Sequence, residues 1–122
     1  DSNPIRGSIC RAARDIAHQV GARAIIVESA TGKVARAMVH FRPDVPIIAV
    51  VTSSLVCKKL CLNWGITALI GEEKKTSDAI TKQAMEKALS TGYFKKGDIV
   101  VVISSNRTAP TSSTDSLNVR IL

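Results

Sequence analysis

Aromatic side chains are nearly absent from this chain of 122 residues: two Phe, one Tyr and one Trp make up 3 %. Single-stranded nucleic acid is usually gripped by stacking bases on such rings, so their scarcity argues against an RNA module of that kind. Long apolar runs are missing too. No stretch approaches the roughly 20 residues that a membrane helix needs. The opening Asp1-Ser2-Asn3-Pro4-Ile5-Arg6 has no charged-then-apolar leader pattern. It starts on Asp rather than Met, as a piece cut from a longer protein would.

Cysteine is sparse and its count is odd: Cys10, Cys57 and Cys61. A small secreted domain held by disulfides normally shows an even number. Cys57 and Cys61 lie one helical turn apart, but a structural metal would want further Cys or His, and His18 and His40 sit in other segments. Buried or half-buried thiols in a reducing cytoplasm are the expectation. Catalytic groups are equally thin. The ten acids are scattered, so no carboxylate cluster offers itself to Mg²⁺. No histidine falls at a strand end, and no Ser-His-Asp set assembles. Glu28 and Asp98 flank strands without evident partners, and Glu72-Glu73-Lys74-Lys75 reads as a solvated turn.

What is present fits one compact α/β domain over residues 1–122. Hydrophobic residues reach 45 % and charged residues 22 %, ordinary for a globule of this size. The net charge is +7 and the pI about 9.7. Basic residues come singly or in pairs (Arg6, Arg11, Arg14, Arg23, Lys58-Lys59, Lys74-Lys75, Lys95-Lys96), without a dense run. Such a spread is a solvated surface rather than a nucleic-acid footprint. A basic nucleic-acid-binding module therefore ranks last among the readings. A phosphorylated small molecule stays open as a partner.

Hydrophobic spacing alternates between helix and strand along the chain. Ile5, Ile9, Ala12, Ile16 and Val20 repeat at helical spacing, with Asn3 as N-cap and Gly21 at the exit. Ala24-Ile25-Ile26-Val27 is a short apolar run without alternation, which is how a strand covered on both faces reads. A second helix follows with Val34, Ala37, Met38 and Phe41 inward, then a strand at Ile47–Val51. Thr52-Ser53-Ser54 caps a third helix with Val56, Leu60 and Trp64 on one stripe, closed by Gly65. Ile66–Ile70 is a third strand. Thr76 or Ser77 caps a fourth helix carrying Ile80, Ala84, Ala88 and Leu89. Ile99–Ile103 is the fourth strand, and a Ser/Thr-rich loop leads to a last one, Leu117–Leu122. This order predicts a three-layer αβα fold. Its five-stranded sheet is mostly parallel, with helices on both faces and a last antiparallel edge strand.

Ligands of open α/β sheets sit beyond the carboxyl ends of the strands. The first loop there is Ser29-Ala30-Thr31-Gly32-Lys33. It offers two hydroxyls, a glycine, a lysine and a helix N-terminus, a plausible phosphate cradle. The GxxxxGK[ST] spacing of a nucleotide P-loop is absent. A plainer reading stands beside it, with Thr31 as N-cap and Gly32 as turn residue. Another candidate loop runs from Ser104-Ser105-Asn106-Arg107 to Thr114; the Arg107 guanidinium suits a phosphate, and a mobile polar loop is the plainer reading.

Several segments together resemble the C-terminal domain of pyruvate kinase. They are Gly21 to Ala35, Phe41-Arg42-Pro43-Asp44-Val45-Pro46-Ile47-Ile48-Ala49-Val50, Trp64-Gly65-Ile66, and Tyr93-Phe94-Lys95-Lys96-Gly97-Asp98-Ile99-Val100-Val101-Val102. Order and spacing agree across nearly the whole chain. The resemblance implies a regulatory and assembly domain, cytoplasmic and part of a tetramer. It would stand beside a catalytic barrel of the same polypeptide that uses Mg²⁺ and K⁺ to transfer phosphate from phosphoenolpyruvate to ADP in glycolysis. The barrel's catalytic residues have no counterpart here, so the chain itself would hold no cofactor and no catalytic group. The resemblance also implies an effector site for a phosphorylated sugar such as fructose 1,6-bisphosphate. One phosphate would lie on Ser29, Ala30, Thr31, Gly32, Lys33 and Val34, with Arg107 and Thr114 in a second effector loop. Three positions depart from the family pattern. Val34 stands where a hydroxyl is common, Ile80 falls about where an arginine is expected, and the Arg107–Thr114 loop lacks its glycines. A purely structural domain without effector binding is the alternative.

Overall fold

A computed structural model describes residues 4–63, 65–106 and 114–122. Asn3, Trp64 and Arg107, which the sequence singled out, lie outside the described residues. The elements run α1 (Pro4–Val20), β1 (Ala24–Glu28), α2 (Lys33–His40), β2 (Ile47–Val51), α3 (Ser54–Leu60), β3 (Ile66–Ile70), α4 (Ser77–Ser90), β4 (Ile99–Asn106) and β5 (Thr114–Ile121). One sheet holds all five strands in the order β3-β2-β1-β4-β5. The first four strands are mutually parallel, and β5 pairs antiparallel with β4 at the edge. The expected fold class is the observed one.

Parallel strands need helices on both faces, because every other side chain points each way. Ile25 and Val27 of β1 point into a core shared with Cys10, Ala13 and Ala17 of α1, Val34 and Met38 of α2, and Leu60 of α3. Ala24 and Ile26 point the other way, into a smaller core built with Ala84 and Ala88 of α4. Three helices thus cover one face and one covers the other. Small residues let α4 come close: its buried apolar contacts are two alanines against Ile26, Ile48, Val100 and Val102.

The structure corrects several boundaries. The buried stripe of α1 is Cys10, Ala13 and Ala17, one position on from the expected one, and Ile5 and Val20 are 56 % and 39 % exposed. Small residues, not the large ones, face the sheet there because the helix lies close against it. Gly32, not Thr31, is the N-cap of α2. Helix α3 stops at Leu60 with Cys61 as its C-cap, a turn short of Gly65. Ser53 does cap α3, accepting the Val56 N–H at 3.3 Å. Strand β3 is an outer edge of the sheet, and Ile70 is half exposed. Strands β4 and β5 extend farther than their apolar runs, because Ser104 to Asn106 pairs in register with Thr114 to Ser116. Cys61 is exposed, whereas Cys10 is buried and Cys57 half-buried.

Leu60 is the only fully buried side chain of α3. Leu60→Ala is expected to cost about 2–5 kcal/mol, the range for emptying a well-packed leucine site. Urea unfolding would show this as a lower midpoint with an unchanged slope.

Candidate functional site at the carboxyl end of the central strand

From β1 the chain winds outward through α2 to β2 and through α3 to β3. It then returns through α4 to β4 on the other side of β1. The strand order therefore reverses at β1, which has parallel neighbours on both sides. Glu28 at the end of β1 is flanked in register by Val50 of β2 and Ser104 of β4.

The turn from Ser29 to Gly32 is closed internally. The Ser29 hydroxyl accepts the Gly32 N–H at 3.1 Å, and the Ser29 N–H donates to the Val50 carbonyl at 3.2 Å. Gly32 has φ 76°, the left-handed region that other residues enter only at a cost. A Cβ there would also lie 3.1–3.2 Å from the methyls of Leu60 and Val56. Glycine is thus required twice at this position. No side chain caps α2, and its first turn carries no acid. The first ladder bond of the helix is Arg36 N–H to Gly32 carbonyl at 3.0 Å, so the N–H groups of Lys33, Val34 and Ala35 precede it. Thr31 Oγ1 accepts from Lys33 N–H only at a long 3.4 Å.

Thr31 and Lys33 are exposed, Ala30 is half-buried, and Ser29 and Gly32 are buried. Val34 is 4 % exposed and points into the core. Arg36, which sequence reasoning passed over, reaches back so that Nη2 donates to the Thr31 carbonyl at 3.4 Å. Its signal was its place four residues after Gly32, on the same helix face. The turn can therefore present backbone amides, the exposed Thr31 hydroxyl and two cations to an anion. Thr114 lies in β5 opposite Asn106.

Glu28 has a partner after all. Gln83 of α4 donates from Nε2 to Glu28 Oε1 at 2.9 Å and to the Glu72 carbonyl at 2.9 Å, while its Oε1 accepts the Glu72 N–H at 2.7 Å. Three bonds hold this buried amide, and they tie α4, the loop after β3 and the end of β1 together. Gly71 makes room for it: a Cβ there would meet Val50 at 2.7 Å and Gln83 at 3.0 Å. Burial pushes the Glu28 carboxyl up to about 7, against the opposing pull of the Gln83 bond and the Lys74 charge. Glu28, Ser29, Thr52, Lys74, Ile80 and Gln83 line a cavity of about 30 Å³. Ligand pockets run to roughly 300–1,000 Å³, so this one holds water at most and belongs to the network. Asp98 also has a partner, accepting the Lys95 N–H at 3.0 Å in the turn before β4. Glu72, Glu73 and Lys75 are exposed, as a solvated turn requires, and Glu72 pairs with the half-buried Lys74 at 3.4 Å. Among the described residues no group of three or more His, Cys, Asp or Glu could hold a metal ion, and no helix is long and apolar enough to cross a membrane.

The arrangement defines a class: a doubly wound α/β domain whose central parallel strand ends in the polar network of Glu28 and Gln83. Residues 7–120 match the family described as the pyruvate kinase alpha/beta domain, and the chain belongs to that family. A pyruvate kinase of Clostridium acetobutylicum is 36 % identical over 121 residues, covering 99 % of this chain and 25 % of that protein. One from Bacillus licheniformis is 31 % identical over 101 residues, covering 83 % of this chain and 17 % of that protein. A solved structure of Cryptosporidium parvum pyruvate kinase in complex with ADP superposes with a TM-score of 0.85 at 21 % identity, over 99 % of this chain and 24 % of that one. The chain spans about a quarter or less of the length of these relatives.

The Glu28 carboxyl holds its proton in the folded chain up to about pH 7, against an ordinary value of 4.5. Its contribution to stability is therefore fully present below pH 4.5 and is lost as the pH rises through 7. Glu28→Gln keeps the acceptor and removes the charge. Relative to the parent, this variant is expected to gain on the order of 1 kcal/mol between pH 5 and pH 8, a figure reduced for the exposed part of the carboxyl. Melting temperatures at the two pH values check it. A difference that stays constant with pH would mean that Glu28 is already ionised at pH 5.

Proposed function

We infer that this chain is the regulatory and assembly domain of a pyruvate kinase and that it takes a phosphorylated sugar at the amino end of α2. The activity of the whole protein would be phosphoenolpyruvate plus ADP to pyruvate plus ATP, carried by a catalytic barrel of the same polypeptide with Mg²⁺ and K⁺. The observation that carries the effector reading is the uncapped start of α2 behind the left-handed Gly32, flanked by exposed Thr31 and Lys33. Backbone N–H groups ahead of the first ladder bond, with no acid in the first turn, favour a dianion by electrostatics alone. Arg36 adds a second cation one turn on. Cytoplasmic location and a tetramer belong to the same reading. The free edge of β5, with Val119 and Ile121 exposed, supports contact with another copy.

The structural alternative has its own support. The Ser29 hydroxyl is already engaged in closing the turn, and the Val34 side chain faces the core. Those two residues would then serve the fold and not a ligand.

Thermal unfolding with fructose 1,6-bisphosphate at millimolar concentration separates the two. A ligand at 100 times its dissociation constant adds about 2.7 kcal/mol, a rise of several degrees in Tm. Thr31→Ala is expected to reduce that rise. Ser53→Ala, which removes the cap of α3, should lower the starting Tm by about 1 kcal/mol of stability and leave the ligand-induced rise intact. No rise in the parent chain favours the structural alternative. Equal losses from the two variants would move the site elsewhere.

A further inference from the structure

The thiols of Cys57 and Cys61 form a pair that nothing above uses. They lie one turn apart on α3 and its C-cap, joined along the backbone by Cys61 N–H to Cys57 carbonyl at 3.0 Å. Cys57 is half-buried against the core and Cys61 exposed. Neither is in a disulfide.

Two chemistries suit two thiols one helical turn apart, and geometry chooses between them. A disulfide needs Cβ atoms about 3.5–4.5 Å apart. Residues four apart on a helix hold theirs at about 5–6 Å. Joining them directly would break the last turn of α3, whose Leu60 is fully buried between the two cysteines. A bridging atom bonded to both sulfurs spans that gap and leaves the helix in place. A tetrahedral zinc ion would ask for two more ligands, and the described residues hold no third His, Cys, Asp or Glu to begin such a set. The centre must therefore be satisfied by two soft sulfur donors.

We propose that Cys57 and Cys61 form a dithiol site for a two-thiol thiophilic centre, of which a trivalent organoarsenical is the fitting class. The step is a condensation. Each thiol gives up its proton, each of two hydroxides on arsenic leaves with that proton as water, and two As–S bonds replace two As–O bonds. Arsenic stays trivalent and nothing is oxidised or reduced. Entry is through Cys61, which solvent reaches, and Cys57 closes the ring. Cys57 is the slower partner, since burial and the neighbouring sulfur push its thiol upward. Val56 and Leu60 of the same helix close over Gly32, so the bridged helix is the one that backs the Ser29–Gly32 turn. Cys10 is fully buried on α1 and takes no part.

The test uses the full chain with phenylarsine oxide as probe, read by intact mass and by titration of the remaining thiols. One adduct that consumes two thiols and survives an excess of a monothiol such as glutathione is the expected result. Cys57→Ser and Cys61→Ser should each weaken retention by about 100-fold or more, since each leaves a single sulfur and removes the ring-closing gain. Cys10→Ser should retain the adduct as the parent does. A parent adduct washed out by glutathione as readily as those of the single variants would overturn the site. So would a chain that loses both thiols to an internal disulfide on exposure to glutathione disulfide while its far-ultraviolet dichroism is unchanged, because the spacing argument would then be wrong.

Discussion

Strand β1 lies in the middle of the sheet with parallel neighbours on both sides and helices over both faces, and the rest of the molecule is arranged around that burial. Ile25, Ile26 and Val27 have no solvent exposure at all. Each such side chain is worth roughly 1.5–3 kcal/mol once it leaves water. Their alternation forces a helical cover on each side, α1 to α3 on one and α4 on the other. A central parallel strand with chain winding away in both directions sets the turn after it, Ser29 to Gly32, where the strand order reverses. The position of that turn follows from how the sheet is buried and is not a separate feature of the fold.

That end of β1 is also where polar groups enter the interior, and they enter in pairs. Gln83 satisfies the Glu28 carboxyl, the Glu72 carbonyl and the Glu72 N–H at once. A buried amide left short of a partner would cost about 1–3 kcal/mol, so the network fixes where α4 begins relative to β1 more sharply than two alanines against a sheet can. The carboxyl keeps its proton near neutrality because burial outweighs both the amide bond and the Lys74 charge. A group that changes charge near pH 7 therefore stands one residue before Ser29, on the opposite face of the strand.

Elements governed by local pattern were legible in the sequence, and those governed by distant contacts were not. The four parallel strands announced themselves as short apolar runs, and Ser53 and Thr76 as caps, because both depend on neighbouring residues alone. The stripe of α1 was misplaced by one residue, since which face turns inward depends on how near the sheet lies. The partner of Glu28 was hidden because Gln83 is 55 residues away and reads, in isolation, as an ordinary polar residue on a helix. The carboxylate itself was the signal: an ionisable residue ending a strand otherwise buried on both faces has to find a hydrogen bond. The polar ends of β4 and β5 carry no apolar run, and only their mutual pairing makes them strand. In the candidate site, Thr31, Gly32 and Lys33 could be marked from the sequence, whereas Arg36 needed the turn of the helix to bring it back over Thr31.

Val34 changes meaning in the structure. By comparison with the family pattern it stands where a hydroxyl is common and therefore reads as a missing contact. Its side chain, however, is packed in the core with Met38 and Cys10, on the far side of the helix start from solvent. A hydroxyl at that position in this backbone would point inward, and so would fail to meet an anion seated over the turn. What Val34 can still offer such an anion is its N–H, which valine and serine supply equally. Recognition at this helix start would then rest on backbone amides, which carry no record in the side-chain pattern, and on the charges of Lys33 and Arg36. The departure at Val34 is accordingly weaker evidence against binding than the prior engagement of the Ser29 hydroxyl, which is a real commitment of a polar group to the fold.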